Sequence, residues 1–528
     1  DVVESSHASS SLSWADGISR AFMQTGRADR HVVAVVGDGA LTGGMTWEAL
    51  NNISDDNERN LVIIVNDNGR SYAPTIGGMA RYLNRARTAP SYRAMYRTSG
   101  RAFGRFGAAG RAMYRGLRGG THGFLSRLTN NVALYSNLDI KYLGPVDGHD
   151  LEAMIETLKL AKSYGAPVIV HAITEKGRGY QPALDDLEDQ FHAVGKINPD
   201  TGVAMSNSTA LSWTDIFADE LVRVGERRND VIAITAAMLR PTGLARFAER
   251  FPDRVYDVGI AEQHAVTAAA GMAFGGLHPV VAMYATFMNR AFDQVLMDVG
   301  LHGAGVTFVL DRAGVTGPDG PSHHGIWDLA MLQIVPRIRI GVPRDAARLV
   351  ELLDEAVDVG DAPTVVRFPK GEVGADISAI ERFEDGVEVL SRGGAPDVLI
   401  LPIGPMASMA LEVAERLRAE GIGVTVVDPR WAIPVQPSVV RLAAEHRIVI
   451  TIEDGIRVGG VGTRVRQVLR DAGVDTAVDE LGVPDEFIQH ATREQILIDA
   501  GLTVDKITED IIEQVRGTRI PIARPASA

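Results

Sequence analysis

The chain of 528 residues contains no cysteine, which excludes disulfide bonds, thiolate catalysis and cysteine-ligated zinc together. It has no run of about 18 uncharged apolar residues and no N-terminal signal pattern, so we expect a soluble, cytoplasmic protein. A formal net charge of −14 argues against a general role in binding nucleic acid. The length exceeds what one hydrophobic core normally serves, and several domains are therefore expected.

One stretch lacks acidic residues altogether. Between Asn68 and Leu138 there is no aspartate or glutamate, but there are twelve arginines, interleaved with aromatic residues such as Tyr92 and Phe103. This composition is compatible with a patch that binds a phosphate backbone or a membrane surface. Its position directly after a candidate metal motif favours instead a mobile segment beside an active site. The positive charge of residues 68–138 would then attract anionic substrates.

That candidate metal motif is formed by two predicted strands. Val32–Val36 is followed by a Gly-Asp-Gly-Ala segment that contains Asp38, and Leu61–Val65 is followed by an Asn-Asp-Asn segment that ends at Asn68. Parallel strands end at the same sheet edge, so the two side chains would lie together and bind a hard cation. A helix starting near Gly43 would direct its amides at the same edge. The pattern predicts a diphosphate cofactor, of which thiamine diphosphate is the best match.

Simpler interpretations exist for each motif taken alone. An Asp or an Asn after a strand is common in ordinary turns. A dinucleotide-dependent dehydrogenase is disfavoured, because neither a G-x-G-x-x-G turn nor a Walker lysine follows a predicted strand. The combination of both strand ends with the helix start makes the diphosphate interpretation the stronger one.

Apolar strands alternate with amphipathic helices along the chain, which is typical of mostly parallel sheets flanked by helices. We predict an α/β protein of three domains, comprising residues 1–204, 205–375 and 390–528. A polar linker at 198–208 separates the first two domains. We interpret the third as structural and dimer-forming, although its Glu453-Asp454-Gly455 segment and glycine-rich turn also resemble a phosphate loop.

Further spaced motifs are similar to those of the 1-deoxy-D-xylulose-5-phosphate synthase family. They are Gly144-Pro145-Val146-Asp147-Gly148-His149-Asp150, Lys176-Gly177-Arg178-Gly179-Tyr180, Ile260-Ala261-Glu262-Gln263-His264-Ala265, Asp311-Arg312-Ala313-Gly314, Asp319-Gly320-Pro321-Ser322-His323-His324-Gly325 and Arg367-Phe368-Pro369-Lys370-Gly371. The resemblance runs over the whole chain and implies a transketolase-like thiamine diphosphate-binding fold. It also implies decarboxylative condensation of pyruvate with D-glyceraldehyde 3-phosphate, the entry step of non-mevalonate isoprenoid synthesis and a source of thiamine precursor.

The resemblance assigns a role to individual residues around the cofactor and its metal. Mg²⁺ would be bound by Asp38, Asn68 and the main-chain carbonyl of Arg70. Glu262 would hydrogen-bond the aminopyrimidine and promote loss of the thiazolium proton, while Phe287 would stack on the ring. The complete set of implied thiamine diphosphate contacts is Ser6, His7, Ala8, Gly39, Ala40, Asn68, Lys176, Tyr180, Glu262 and Phe287.

The same resemblance implies residues that act on the substrates. His323, Asp319 and His192 would provide acid–base chemistry beside Glu262, whereas His324 is expected to be a structural neighbour. The phosphorylated acceptor would be bound by Tyr284, Arg290, Arg312 and Arg367. Taken singly, a glutamate at a helix start more often stabilises the helix dipole, and an arginine after a strand is more often a solvated charge.

Two features depart from the family pattern. The chain begins at Asp1 without the family's N-terminal segment and its Gly-His-Gln motif, so we expect a fragment, a processed form or a misplaced start. Ser6 stands where the family usually has glycine. The alternatives are a transketolase-type ketol transferase, or a catalytically silent paralogue that binds the cofactor as a partner subunit. Small-molecule substrates, no membrane and a homodimer are expected.

Overall fold

The computed structural model of the protein describes residues 6–55, 58–71, 74–78, 140–186, 189–192, 194–205 and 210–517. Most of the arginine-rich segment, from residue 79 onward, lies outside these residues, and its predicted role stays a prediction. The chain falls into two compact units. The first comprises residues 1–207 with 257–261, and the second comprises 208–256 with 262–528.

The first unit is built on a parallel sheet whose strands lie in the order β1-β2-β4-β3. These strands are β1 (Val32–Gly37), β2 (Leu61–Asp67), β3 (Lys141–Asp147) and β4 (Val168–Ile173). β2 and β4 are rich in valine and isoleucine and buried along nearly their whole length, as central strands of a covered parallel sheet are. Within the described part of this unit, the α-helices are Ser11–Gln24, Gly44–Ser54, Leu151–Ser163 and Gln181–Asp185.

The second unit contains a seven-stranded sheet in the order β15-β9-β10-β8-β7-β5-β6. Its strands are β5 (Val231–Thr235), β6 (Val255–Asp257), β7 (His278–Tyr284), β8 (Thr307–Asp311), β9 (Arg339–Gly341), β10 (Thr364–Arg367) and β15 (Trp431–Ile433). β15 comes from the C-terminal part of the chain and pairs antiparallel with β9. The associated α-helices are Trp213–Arg227, Ala245–Arg250, Glu262–Phe274, Ala285–Met288, Phe292–Gln294, Asp328–Leu332 and Ala346–Val357.

A six-stranded sheet completes the second unit, in the order β11-β12-β14-β13-β16-β17. Its strands are β11 (Glu381–Arg382), β12 (Glu388–Gly393), β13 (Val398–Pro402), β14 (Val424–Asp428), β16 (Ile448–Ile456) and β17 (Ala477–Val483). β14, β13, β16 and β17 are parallel, whereas β11 and β12 form an antiparallel edge. The helices are Ala407–Ala419, Pro437–Glu445, Val461–Asp471, Arg493–Asp499 and Val504–Val515.

Local sequence explains where many helices begin. The Asp150 carboxylate accepts the Ala153 amide at the start of the helix Leu151–Ser163. Ser212 and Asp215 form a reciprocal capping box before Trp213, which satisfies amides that have no partner within the helix. Trp213 and Phe217 of the helix Trp213–Arg227 are buried and pack on Phe368.

The predicted fold class is confirmed, because each sheet is mostly parallel and flanked by helices. Among the described residues, no helix is long and apolar enough to cross a membrane. The predicted boundaries of three domains stay a prediction, and β15 shows that one strand from beyond residue 390 belongs to the seven-stranded sheet.

Candidate active site

The ends of β1 and β2 bring the predicted metal ligands of the first unit together. Because Gly37 pairs with Asn66 in the parallel register, the two following turns meet at one sheet edge. Asp38 is 1% exposed, and its Oδ1 accepts the Asn68 amide at 3.3 Å. Thr75 donates its hydroxyl to Oδ2 of the same carboxylate. The Asn68 side-chain oxygen accepts the Arg70 amide at 3.1 Å, which fixes the turn that carries the Arg70 carbonyl.

The turn after Asp38 is closely packed against its surroundings. A methyl group on Gly39 would lie 3.1 Å from Cβ of Ser71, and one on Gly43 would lie 2.1 Å from Oγ of Ser9. Ser9 in turn donates to the Ala40 carbonyl at 2.9 Å, which ties the segment that follows Ser6, His7 and Ala8 to this turn. Ser6 is exposed, while His7 and Ala8 are partly buried. The absence of side chains at Gly39 and Gly43 therefore leaves room for the side chains of Ser71 and Ser9 to pack against the backbone of this turn.

Lys176 and His192 form a direct pair in the first unit. Nζ of Lys176 lies 2.9 Å from Nδ1 of His192 and donates to the Ser71 carbonyl at 2.7 Å. Burial, together with the positive charge of Arg70, lowers the pKa of Lys176 to about 8. Burial and the Lys176 ammonium lower the pKa of His192, so its ring is neutral at pH 7. A neutral ring that accepts at Nδ1 carries its proton on Nε2.

Tyr180 offers a polar group to a ligand in the same region. Its hydroxyl is buried without a hydrogen-bond partner among the described residues, and its ring lies 6.0 Å from that of Phe191. Buried hydroxyls are normally hydrogen-bonded, so an orphaned one calls for an explanation, and a bound ligand is one that fits.

The first unit fits a Mg²⁺-diphosphate group by the chemistry of its donors. Asp38, Asn68 and the Arg70 carbonyl offer only oxygen atoms, which hard cations prefer. Among the described residues there is no group of three or more His, Cys, Asp or Glu side chains arranged for a metal. Mg²⁺ usually takes only one or two protein carboxylates when a ligand phosphate completes its shell, so a single Asp is compatible with it.

Glu262 in the second unit is a buried carboxylate with a charged partner. It begins the helix Glu262–Phe274 and is 4% exposed. Nε of Arg290 donates to its Oε2 at 3.0 Å, and the Arg290 side chain is itself only 15% exposed. Arg290 was predicted to bind substrate phosphate, whereas the structure pairs it with the predicted catalytic acid.

A row of ring contacts runs from Arg312 to His323. The guanidinium carbon of Arg312 lies 4.4 Å from the ring centre of Tyr284, within cation–π distance. Tyr284 stacks on Phe287 with ring centres 6.0 Å apart, and Phe287 meets the edge of His323 at 5.8 Å. The structure thus brings together Arg312, Tyr284 and His323, which sequence reasoning placed near the substrate, and Phe287, which it placed on the cofactor ring.

Arg312 occupies a strained position that its contacts maintain. Its φ of 58° lies in the left-handed region, which is uncommon for an arginine. The guanidinium donates to Asp311 at 2.7 Å, to the Pro241 carbonyl at 2.9 Å and to Thr214 at 3.2 Å. Burial opposes the charge of Arg312, but the Asp311 carboxylate raises its pKa above the ordinary value. The cation is therefore fixed in place and permanently charged.

Asp319 and His324 have partners of different kinds. The Asp319 carboxylate accepts the Lys370 ammonium at 2.6 Å, and both side chains are about one-third exposed, at 32% and 40%. His324 is fully buried and its Nδ1 accepts the Thr316 amide at 3.1 Å. His324 thus has the structural environment expected for it, while Asp319 remains accessible.

Arg367 is the predicted substrate residue that the structure places least favourably. It is 2% exposed, and its Nε donates to Asp328 at 2.7 Å. A second carboxylate, that of Asp454, lies 3.7 Å from its NH1 group. In this conformation the guanidinium presents no accessible surface to a phosphate, so the geometry does not support the predicted contact, which stays a prediction.

Sequence reasoning missed several partners of these residues. Thr75 contacts Asp38, Thr214 contacts Arg312, and Lys370 contacts Asp319. Lys370 lies in the Arg-Phe-Pro-Lys-Gly motif, which was the available signal for it. Thr75 and Thr214 carry no such signal, because an isolated threonine near a turn has many ordinary roles.

Solved structures with a similar fold define the class of protein. A structure described as a split-gene transketolase, an inactive β4 tetramer, aligns with a TM-score of 0.52 and 29% identity, covering 59% of this chain and all of that one. A transketolase from Campylobacter jejuni aligns with a TM-score of 0.52 over 96% of this chain and 82% of its own, at 14% identity, which bears on the fold alone. The fold is that of a transketolase-type transferase.

Sequence comparisons define the family within that class. The 1-deoxy-D-xylulose-5-phosphate synthase profile matches residues 1–174, the transketolase pyrimidine-binding domain matches 209–375, and the transketolase C-terminal domain matches 386–507. Relatives named 1-deoxy-D-xylulose-5-phosphate synthase from Leifsonia xyli and Clavibacter sepedonicus are 72% and 70% identical. Both alignments cover 99% of this chain and 81% of the relative. The chain belongs to the 1-deoxy-D-xylulose-5-phosphate synthase family.

Proposed function

We propose that the protein condenses pyruvate with D-glyceraldehyde 3-phosphate to give 1-deoxy-D-xylulose 5-phosphate and carbon dioxide, using thiamine diphosphate and Mg²⁺. The observation that carries this proposal is the 72% identity over 525 residues to a relative named for that product. The reaction would supply isoprenoid and thiamine synthesis. The geometry of several residues described above supports the proposed cofactor and substrate contacts.

In the first unit, the chain would hold the charged end of the cofactor. Asp38, Asn68 and the Arg70 carbonyl would bind Mg²⁺, and the amides of Gly39 and Ala40 would meet the diphosphate. The lack of a side chain at Gly39 supports this assignment, because a backbone amide can approach a ligand closely where no Cβ intervenes. Tyr180 would donate its orphaned hydroxyl to the bound group.

In the second unit, the chain would control the reactive end. When bound, thiamine diphosphate supplies the nucleophilic carbon and the electron sink that decarboxylation needs. Glu262 would hold the proton at the aminopyrimidine ring, and Phe287 would position that ring by stacking. The Arg290 guanidinium supports this role, because it fixes the orientation of the buried Glu262 carboxylate.

The remaining residues would handle substrate charge and protons. Arg312 lies over the Tyr284 ring. It would bind the acceptor phosphate through those guanidinium N–H groups that are not used in the structural contacts described above. His323 and Asp319 would exchange protons with the acceptor oxygen. His192 would serve as a hydrogen-bond donor at Nε2, since Lys176 donates at Nδ1.

Donor choice separates this proposal from its alternatives. The protein is supplied with thiamine diphosphate and Mg²⁺, and with either pyruvate plus glyceraldehyde 3-phosphate or xylulose 5-phosphate plus ribose 5-phosphate. We expect 1-deoxy-D-xylulose 5-phosphate and carbon dioxide from pyruvate, and no turnover of the ketose. Turnover of the ketose alone would identify a transketolase. If the cofactor is bound but neither donor reacts, the protein is a silent paralogue.

We also infer that the protein is a cytoplasmic homodimer. Support for the dimer comes from apolar side chains that are exposed on and near the helix Glu262–Phe274. Among them, Phe274 and Leu301 are each 66% exposed and Met297 is 45% exposed. Exposed apolar groups of this size are typical of association surfaces. Light scattering at micromolar concentration should give twice the chain mass, and a monomer would contradict the inference.

A further inference from the structure

The loop of residues 314–325 carries two predicted catalytic residues, Asp319 and His323. Its two ends are joined by a pair of backbone hydrogen bonds. The Gly314 amide donates to the Gly325 carbonyl at 2.8 Å, and the Gly325 amide donates back at 2.9 Å. The loop is therefore closed at its base, and contacts along its length determine where its side chains lie.

The C-terminal part of the chain contacts that base directly. A methyl group on Gly314 would lie 2.1 Å from Oδ2 of Asp454, so the carboxylate rests against the backbone of the loop. Asp454 belongs to β16 and is 2% exposed. A buried carboxylate needs a cation or several donors to offset its lost hydration.

Arg493 provides that cation and also binds the loop. Its NH2 group donates to Oδ2 of Asp454 at 2.7 Å, and its NH1 group donates to the Val315 carbonyl at 2.7 Å. On the other side of Asp454, NH1 of Arg367 lies 3.7 Å from Oδ1. Arg493 thus connects a buried ion network to the backbone one residue beyond the loop base.

Two further contacts extend this attachment toward Asp319. A methyl group on Gly317 would lie 2.9 Å from the Arg493 amide nitrogen, and one on Gly320 would lie 2.2 Å from Nε2 of His490. Gly320 has a φ of +77°, a backbone conformation that residues with a side chain rarely adopt. The segment from His490 to Arg493 therefore packs along the loop as far as the residue next to Asp319.

We propose that Arg493, acting through Asp454 and the Val315 carbonyl, is a positioning residue that holds the 314–325 loop in its reactive geometry. The transketolase C-terminal region would then take part in the catalytic apparatus, in addition to the structural and dimer-forming role that the sequence predicts for it. That this geometry is reactive rests on the proposed function. The contacts that attach the loop to Arg493 are independent of the proposed function.

Amide hydrogen exchange on the full protein tests the attachment without reference to activity. In Arg493→Met, we expect the amides of residues 314–325 to exchange at least about tenfold faster than in the wild type, because the Val315 anchor is lost. Arg516→Met is the matched control, since Arg516 pairs with Glu420 at the surface and both side chains are about half exposed. Unchanged exchange in this loop for Arg493→Met would overturn the proposal.

Two variants guard against a trivial loss of folding. Arg493→Lys keeps the charge beside Asp454 but loses the two-pronged contact, and we expect intermediate exchange in the loop. His490→Ala removes the packing on Gly320 without uncovering a buried charge, and its exchange should rise most around residue 320. Exchange in both variants equal to the wild type would count against the proposal.

Steady-state kinetics then test the link to catalysis. We expect Arg493→Lys to lower kcat by about fivefold or more and to displace its pH profile, with the KM for pyruvate changed less than twofold. A wild-type protein that turns over no pyruvate would refute the proposed function while leaving the exchange result valid. An active wild type with Arg493→Lys kinetics unchanged would refute the positioning role alone.

Discussion

Arg290 donates from Nε to Oε2 of Glu262 across 3.0 Å, and both side chains are largely removed from solvent. The pair joins the start of the helix Glu262–Phe274 to a segment 28 residues further along the chain. It links the predicted catalytic carboxylate to an arginine that sequence reasoning had assigned to the substrate phosphate. The two roles of Arg290 lead to different kinetics.

Arg290→Met should lower kcat by at least about tenfold while the KM for glyceraldehyde 3-phosphate stays within about twofold, because the variant disturbs the carboxylate rather than substrate binding. Initial rates over a range of both substrates measure this. Arg250→Met, which removes an exposed arginine paired with Glu226, is the control. A large rise in that KM with kcat preserved would instead favour phosphate binding by Arg290.

The pair of Lys176 and His192 should appear in the pH dependence of kcat. Lys176 is protonated below its pKa of about 8, and the ammonium then donates to Nδ1 of His192. We expect kcat to fall as the pH rises through about 8, where the Lys176 ammonium loses its charge and becomes a weaker donor. Arg keeps its charge at this pH, so Lys176→Arg should shift the falling limb upward. Profiles that coincide would contradict this role, with Lys159→Arg as the exposed control.

Asp38→Asn tests the predicted metal site through binding rather than turnover. Thiamine diphosphate with Mg²⁺ should raise the Tm of the wild type, because a ligand that binds the folded state stabilises it. The variant keeps an oxygen for its hydrogen-bond partners but loses the charge, so most of that Tm shift should disappear. Asp200→Asn, at an exposed site, should shift like the wild type. An equal shift in Asp38→Asn would exclude Asp38 as a metal ligand.

The buried carboxyl group of Glu453 should make the stability of the folded protein depend on pH. It is 2% exposed, one of its oxygens accepts the Gly462 amide at 3.1 Å, and burial raises its pKa to about 7. The raised pKa favours the folded state fully below the unfolded value of about 4.3, and this contribution is lost as the pH rises through about 7. Glu453→Gln has no carboxyl group to ionise and therefore lacks this loss. Between pH 4 and pH 8, the free energy of unfolding of the variant should rise by up to ~3 kcal/mol relative to that of the wild type.

Thermal unfolding at pH 4 and pH 8 measures this difference. Glu445→Gln removes an exposed carboxylate from the neighbouring helix Pro437–Glu445 and should show no comparable gain. A wild type and Glu453→Gln whose Tm values change in parallel over this range would show that Glu453 is not held as the neutral acid.

Local patterns in the sequence predicted much of the fold. The strand predicted at Val32–Val36 extends only one residue further, to Gly37, and the strand predicted at Leu61–Val65 extends to Asp67. The meeting of Asp38 and Asn68 follows from the parallel pairing of two strands, which their shared apolar character made foreseeable. The alternation of apolar strands with amphipathic helices, and the residues at the strand ends, are patterns among residues close in sequence. For this reason the structure agrees with them.

The rest depends on contacts between distant segments, for which a single sequence carries no local signal. An arginine after a strand is usually solvated, yet Arg367 is buried between Asp328 and Asp454. Likewise, nothing near β15 indicates that it joins the seven-stranded sheet. The contact of Arg493 with the Val315 carbonyl spans 178 residues. Such pairings arise from tertiary packing, which overrides local preference.

The most direct test of the central claim is carbon dioxide release from pyruvate, measured with and without glyceraldehyde 3-phosphate. The full protein is compared with Glu262→Ala and with Glu415→Ala, an exposed glutamate on the helix Ala407–Ala419. We expect acceptor-dependent release in the wild type and in Glu415→Ala, and its loss by at least about a hundredfold in Glu262→Ala. Release in Glu262→Ala at the wild-type rate would contradict the account.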